Sequence, residues 1–331
     1  MDAILSLPAL SFLAIPAIGS YSTSLNLLFF YMTWSTLVLS HSPLNVEIFG
    51  TLAIRILFFI LPSTLFMLFD SAVPSLAVAL KAQGDIALPV RGSSRSDGGR
   101  KWWLVAGVAT VNVLLGVALQ IGVELLFTKV LTFRSALKVT TRLPMPWGIF
   151  KDLSRGLLLR EVLQYYIHRY VLHSPSSRVA KWHQSWQHSI KAPYSFVANY
   201  DHPVAWLLVH WLPVYLPAAV FRYHLLTYHM LLALVSLEET FSYSGYSVLP
   251  SSFILSGIAR RVDSHLMGGG KGNFAPWGIM DWIHGTSVGD GVEEDVRNEM
   301  GKHDAQGKAQ DSLEQVKAKG KRSLRSNSKA D

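Results

Sequence analysis

The chain has 331 residues, of which 50% are hydrophobic and only 16% are charged. Since a typical soluble domain has about 25% charged residues, this composition and a mean hydropathy of +0.27 favour a membrane protein. The net charge of +8 is not accompanied by any helix-turn-helix, zinc-finger or RNA-binding signature, which argues against nucleic acid as a partner. The absence of cysteine excludes disulfides, thiolate zinc sites and iron–sulfur clusters.

Three apolar segments in the first part of the chain are candidate membrane helices, which need about 20 residues, and the first reaches that length only if residues 20–24 extend it. Residues 25–39 and 47–69 are joined by a short link, so they predict a helical hairpin. Residues 102–127 form the most uniform span, and Trp102 and Trp103 at its start fit an interfacial aromatic belt.

Basic loops give an expected orientation. The loop at residues 81–101 is rich in arginine and lysine and is therefore expected to be cytoplasmic. Residues 128–142, on the other side of one crossing, are basic as well. A re-entrant helix or a fourth crossing near residues 147–163 would resolve this conflict, and the sequence does not choose between them.

Two later apolar segments, residues 204–220 and 225–237, are expected to be half-embedded helices, the first broken by Pro213 and Pro217. From residue 291 onward the chain is polar with almost no large apolar side chains. Such a composition cannot bury a core, so the segment is interpreted as a disordered tail.

Histidine pairs distinguish the second half of the chain. His168 and His173 are five residues apart, so on a regular α-helix they would point about 140° apart. They can reach a common site only if the helix ends or bulges near Leu172. Glu161 shares a helix face with His168, and it is a candidate ligand or an acceptor that fixes the imidazole tautomer.

Further candidate ligands follow along the chain. His183 and His188 are again five residues apart. His202 precedes a proline, which restrains it to an extended conformation suited to a ligand on a loop. His265 is a sixth candidate. Imidazole is the commonest protein donor to iron, zinc and copper.

The order of these motifs resembles the fatty acid hydroxylase/sterol desaturase superfamily over residues 150–287. The resemblance is carried by the His168–His173 box, the Asp201-His202-Pro203 turn, Ser244-Gly245-Tyr246, Asp263-x-His265, and Asp281 to Thr286. It implies a helical membrane protein whose histidines bind two irons at the cytoplasmic face. Such enzymes hydroxylate or desaturate a lipid with O₂ and electrons from a cytochrome b5-type donor.

The chain departs from the family pattern at two boxes. The second box of the family is usually His-x-x-His-His, but here it reads Gln184-Ser-Trp-Gln187-His188, with His183 one residue upstream as a possible substitute. The third, usually His-Asp-x-His-His, reads Val262-Asp263-Ser264-His265-Leu266, and Tyr243 stands where the family generally has histidine. Carboxylates also bind iron, so Glu161, Glu238, Glu239 and Asp263 are candidate replacements; one metal, or none, is the other alternative.

The expected fold class is an all-α integral membrane protein with transmembrane helical hairpins and a cytoplasm-facing, histidine-rich helical catalytic domain. Residues 1–145 are predicted to anchor the chain, residues 146–290 to form the histidine domain and residues 291–331 the tail. The expected function is a di-iron-type membrane oxidoreductase of the endoplasmic reticulum that acts on a lipid or sterol-like substrate. The alternatives are a non-catalytic relative that binds or scaffolds a lipid or partner enzyme, and different metal chemistry such as hydrolysis or isomerisation.

Overall fold

A computed structural model describes residues 21–89, 101–246 and 254–289, and the predicted tail and most of the basic loop at residues 81–101 lie outside these ranges. The described residues are mostly helical and form no β-strand, only two isolated bridges. This confirms the predicted all-α fold. The helices in chain order are α1 (Tyr21–Ser40), α2 (Pro43–Arg55), α3 (Leu61–Ala72), α4 (Pro74–Leu80), α5 (Trp102–Leu125), α6 (Pro146–Ile167), α7 (Arg178–Trp186), α8 (Pro203–Trp206), α9 (Leu212–Val220), α10 (Leu225–Ser242), α11 (Ile254–Met267) and α12 (Ile279–Ile283).

Wide π-helical turns extend or join several of these helices, and narrow 3₁₀ turns occupy some of the loops. The π-helical turns are Ile56–Ile60, Leu126–Val130, His168–Leu172 and Leu207–Trp211. The 3₁₀ turns are Gly84–Ala87, Gln187–Ser189 and Ser195–Asn199.

Within the described residues, three continuous helices are long and apolar enough to cross a membrane: Pro43–Ala72, Trp102–Val130 and Pro203–Val220. The first two coincide with predicted spans. The apolar part of α1, Leu25–Ser40, is shorter. α6, which covers the position considered for a fourth crossing, is not among the three.

The third of these helices differs from the sequence expectation of a broken, half-embedded segment. Pro213 lies in the first turn of α9 and Pro217 within it, and the helix continues past both to Val220. The π-helical turn Leu207–Trp211 runs directly into α9. A proline removes one backbone hydrogen-bond donor from its helix. The wider π-helical turn just before Pro213 changes which backbone groups pair with each other, so the helix does not have to end at the proline.

Polar side chains on the apolar helices tie the membrane segments to the rest of the molecule. Asn112 on α5 is fully buried and donates to the carbonyls of Asn199 and Asp201 over 3.0 and 2.9 Å. Arg55 on α2 forms a buried ion pair of 3.0 Å with Glu239 on α10. Removing one partner of such a pair costs roughly 3–5 kcal/mol, so α10 is firmly connected to the first span.

α10 lies at the centre of the helical arrangement, in contact with α2, α6 and α11. Its buried apolar residues pack with those of α9 and with the segment that precedes α6 in one core cluster. A second cluster joins α5 to the loop around residues 194–200. The second cluster also includes Trp186 at the end of α7 and Leu266 on α11, and a third packs Tyr165, near the end of α6, against Phe274 and Met280. The histidines lie at these helix ends.

Candidate metal centre

The first histidine pair lies at the end of α6, where the helix widens into a π-helical turn. The His173 N–H donates to the His168 carbonyl over 3.0 Å. This bond between residues five apart brings the two imidazoles to one side, and their ring centroids are 4.9 Å apart. The structure therefore has the bulge near Leu172 that the spacing of the two histidines requires.

Two further elements bring three more histidines to the same place. His183 is on α7, His188 is in the 3₁₀ turn that follows it, and His265 is on α11. One potential ligand nitrogen from each of the five side chains lies within 4.8 Å of all the others. In the described ranges this is the single group of three or more such side chains able to hold one ion. Its members are His168, His173, His183, His188 and His265.

Three of these imidazoles are oriented by acceptors behind them. The Nδ1 of His168 is 2.7 Å from the carbonyl oxygen of Phe274, and the Nδ1 of His265 is 2.6 Å from that of Gly272. The Nδ1 of His183 is 2.6 Å from the Asp201 carboxylate, which is completely buried. Carbonyl and carboxylate oxygens only accept, so each Nδ1 carries the proton.

The tautomer of these rings leaves each Nε2 with a lone pair directed into the cluster. The Nε2 atoms of His168 and His183 are only 3.3 Å apart although neither has a proton to share. The Nε2 of His265 is buried and has no hydrogen-bond partner. Converging, unpartnered lone pairs repel one another unless a cation lies between them, so the residues fit a bound metal ion.

Four of the five imidazoles are also held in the neutral form that binds metals. Burial, and then the proximity of the other histidines, lowers the pKa of His173 to about 3 and that of His188 to about 2. Burial is likewise the main reason that the pKa of His265 is lowered to about 4 and that of His168 well below its ordinary value. Without a metal these groups therefore resist protonation at neutral pH.

The glycine-rich run at residues 268–272 packs directly against the cluster. Gly270 has a φ of +80°, and a Cβ at this position would lie 2.2 Å from Cε1 of His173. Only glycine combines this backbone conformation with so close an approach. The run thus accommodates a histidine ring and carries the Gly272 carbonyl that orients His265.

Two buried carboxylates hold the loop that presents the Phe274 carbonyl. Asp281 accepts from the backbone N–H groups of Phe274 and Ala275, both over 2.9 Å. Glu161 accepts from the N–H groups of Trp277 and Ile279, both over 3.0 Å. Glu161 was expected to be a ligand or the acceptor for His168, but the structure assigns that acceptor role to a backbone carbonyl and makes Glu161 a support for the loop.

His202 is not brought into the cluster. Its Nδ1 accepts from the Val204 N–H over 3.3 Å at the start of α8, and its ring stacks on Trp182 with a centroid distance of 4.4 Å. The residue that the same turn contributes to the site is Asp201, which sequence reasoning did not select. The sequence signal that could have identified Asp201 is a carboxylate directly before the His-Pro pair.

Two of the other predicted carboxylates, Glu239 and Asp263, also have partners elsewhere. Glu239 accepts from Arg55 and Asn199, both over 3.0 Å. Asp263 accepts from Gln83 over 3.2 Å, and burial raises its pKa to about 6. Neither belongs to the group of converging donors.

A small cavity of about 50 Å³ adjoins the cluster. Its walls include three of the five histidines, the ion-paired Arg160 and Glu238, and the apolar side chains of Val209 and Ile258. Since one water needs about 10–15 Å³ of such volume, the cavity is large enough for a few molecules of the size of water. The centre is thus accessible to a small reactant in an otherwise packed interior.

Comparisons with known proteins agree with this geometry. Residues 153–286 match the family model "Fatty acid hydroxylase". The chain is 30% identical over 143 residues to "Fatty acid hydroxylase domain-containing protein 2" of Macaca fascicularis, an alignment that covers 41% of this chain and 38% of the relative. No solved structure matches. The region that carries the five histidines is therefore similar to the fatty acid hydroxylase domain, and the chain spans less than half the length of the relative it matches.

Proposed function

We propose that the chain is a membrane-bound, metal-dependent oxidoreductase that hydroxylates or desaturates a lipid or sterol-like substrate. The observation that carries the proposal is the pair of unprotonated Nε2 atoms of His168 and His183, 3.3 Å apart. A cation bound between the two nitrogens stabilises such an arrangement. Imidazole nitrogens suit iron, zinc and copper, and the family favours iron.

A bound iron would supply the activation of O₂, and the chain's own residues supply the orientation of the ligands and a water-poor environment. Asp201 retains the proton on Nδ1 of His183, and the Phe274 and Gly272 carbonyls do the same for His168 and His265. Outer partners of this kind fix the ligand tautomer and raise its basicity. The apolar helices Pro43–Ala72 and Trp102–Val130 connect the centre with the bilayer that holds the substrate.

The reaction requires two electrons from outside the chain. Hydroxylation converts a C–H bond to C–OH and consumes O₂, two electrons and two protons, with release of one water. Desaturation removes two hydrogen atoms and, with the same supply of electrons and protons, releases two waters. A cytochrome b5-type donor is the proposed source, and the histidine domain is proposed to face the cytoplasm, at the endoplasmic reticulum.

The test is lipid analysis of cells that express the chain under ¹⁸O₂. A hydroxylase introduces one ¹⁸O atom into its product, whereas a desaturase yields a product that is lighter by two hydrogens and contains no label. The matched control is His265→Ala, which removes one converging nitrogen. If cells with the wild-type chain show no new lipid relative to this control, the non-catalytic interpretation replaces the proposal.

A further inference from the structure

We infer that this centre holds one metal ion and not two. The inference deepens the proposed function and rests on it for the presence of a metal. A nitrogen ligand lies about 2.0–2.1 Å from its metal, so opposite donors on one ion are about 4 Å apart. Two ions about 3.5–4 Å apart would spread their outermost donors to about 8 Å. The five nitrogens lie within 4.8 Å of one another, which is the spread expected around a single ion.

The departures from the family pattern meet at one side of the cluster. Gln187, Tyr243 and Val262 stand where the family has histidines, and all three line the cavity of about 50 Å³ beside the five histidines. The two remaining departures lie elsewhere, since Gln184 is exposed and Leu266 is packed in the apolar core. Three donors have thus been lost together from one location. A further histidine that lines this cavity, His210, is not among the five converging donors, and its Nδ1 lies 3.4 Å from Oε1 of Glu239.

Carboxylates do not replace the missing nitrogens at this location. Glu238 accepts from Arg160 over 2.7 Å and from the Trp277 indole N–H over 3.0 Å, so both of its oxygens are engaged. The neighbouring Glu239 forms its ion pair with Arg55 over 3.0 Å. A guanidinium group already neutralises each carboxylate. A second divalent metal ion would therefore have to displace a buried positive charge.

Two unpartnered side-chain oxygens at the cavity suit a neutral molecule. The side-chain oxygens of Gln164 and Gln187 are buried and have no hydrogen-bond partner, and both residues line the cavity. A water molecule can donate to both and a hydroxyl group to one of them, and neither amide oxygen provides the charge that would hold a second ion. We assign this position to a neutral reactant or water beside a mononuclear centre.

The experiment is metal counting on the full-length chain purified in detergent after anaerobic loading with Fe(II), and separately with Co(II), and removal of excess ion. One ion per chain is expected, with the half-integer-spin resonance of isolated Co(II) at full loading. Two ions per chain, or spin coupling between two Co(II) ions, would overturn the inference and leave the proposed oxidoreductase intact. One ion without lipid oxidation would overturn the proposed function alone.

Two variants test where the counted metal ion is bound. Glu238→Gln removes a charge from the cavity but no nitrogen from the cluster, so the folded protein is expected to keep one ion per chain. His188→Ala removes a converging nitrogen and is expected to lower the occupancy at limiting Fe(II). A fall in occupancy in Glu238→Gln with none in His188→Ala would show that the ion lies among the carboxylates, contrary to the inference.

Discussion

Asp201→Asn is a direct test of how the site is organised, because the substitution keeps the shape of the side chain and changes only its hydrogen bonding. The carboxylate accepts two bonds of 2.6 Å, from Nδ1 of His183 and from the His202 N–H. An asparagine has one acceptor oxygen and one NH₂ group. One of the two donors must therefore face the NH₂ group, or the imidazole must adopt the other tautomer.

The other tautomer places the proton on Nε2 of His183, where it prevents metal binding. Restoring the original tautomer forfeits one hydrogen bond to a charged group, which contributes about 1.5–3 kcal/mol. Since about 1.4 kcal/mol corresponds to a tenfold change in an equilibrium constant, the metal Kd is expected to rise about 10- to 150-fold. Removal of outer partners of metal-bound histidines generally costs about 10- to 100-fold.

The assay is competition for Fe(II) or Co(II) against a chromophoric chelator at fixed pH, with thermal unfolding measured on the same preparations. The matched control is Asp152→Asn, because Asp152 forms only a partly exposed ion pair of 3.7 Å with Arg155, a class worth about 0–1 kcal/mol. A folded Asp201→Asn protein with the wild-type Kd would refute the assignment of the imidazole tautomer and with it the lone-pair argument for a metal.

Four other changes give distinct outcomes. His202→Ala is expected to retain the metal and to lose about 1 kcal/mol of stability as a helix cap; loss of metal would make His202 a ligand. Glu161→Gln is expected to weaken metal binding by about 10- to 100-fold through the loop it supports, and an unchanged Kd would contradict this. In the metal-free protein the lowered histidine pKa values mean that the unfolded state takes up protons first, so the free energy of unfolding should fall as pH drops below about 6.5; a flat profile in denaturant titrations would show otherwise. Ser176→Cys introduces the only cysteine, at an exposed position, and a thiol reagent should label it from the cytoplasmic side of sealed vesicles and not from the other.

Much of the architecture could be predicted from composition, because a membrane span must satisfy its backbone internally and therefore has to be a long apolar helix. The helices Pro43–Ala72 and Trp102–Val130 were found in this way. The continuous helix Pro203–Val220 was not, because a proline is a helix breaker in most sequence contexts. Whether a neighbouring π-helical turn compensates for it depends on packing that the local sequence does not specify.

The sequence was sufficient to predict the histidines that could donate to a metal. It was not sufficient to predict the groups that hydrogen-bond to these histidines and orient them. Five of the six selected histidines converge, and the sixth, His202, instead accepts from the Val204 N–H at the start of α8. The acceptors that orient them are mostly backbone carbonyls, at Phe274 and Gly272, and a carbonyl has no sequence signature. Asp201 does have a sequence signature, but the adjacent His202 gave the stronger apparent signal for a ligand.

The spacing of five residues within each histidine pair is itself informative about structure. On an α-helix this spacing separates two side chains by about 140°, so neither pair can bind one ion unless the α-helix ends between its members. The chain ends it in two different ways: a wide π-helical turn begins at His168, and a narrow 3₁₀ turn contains His188. In both pairs the first histidine remains fixed to a helix and the second is brought round by the turn. A pair at this spacing therefore predicts a change of helix type as well as a ligand, and the two predictions can be tested together in any chain where a helix-ending signal follows the second histidine.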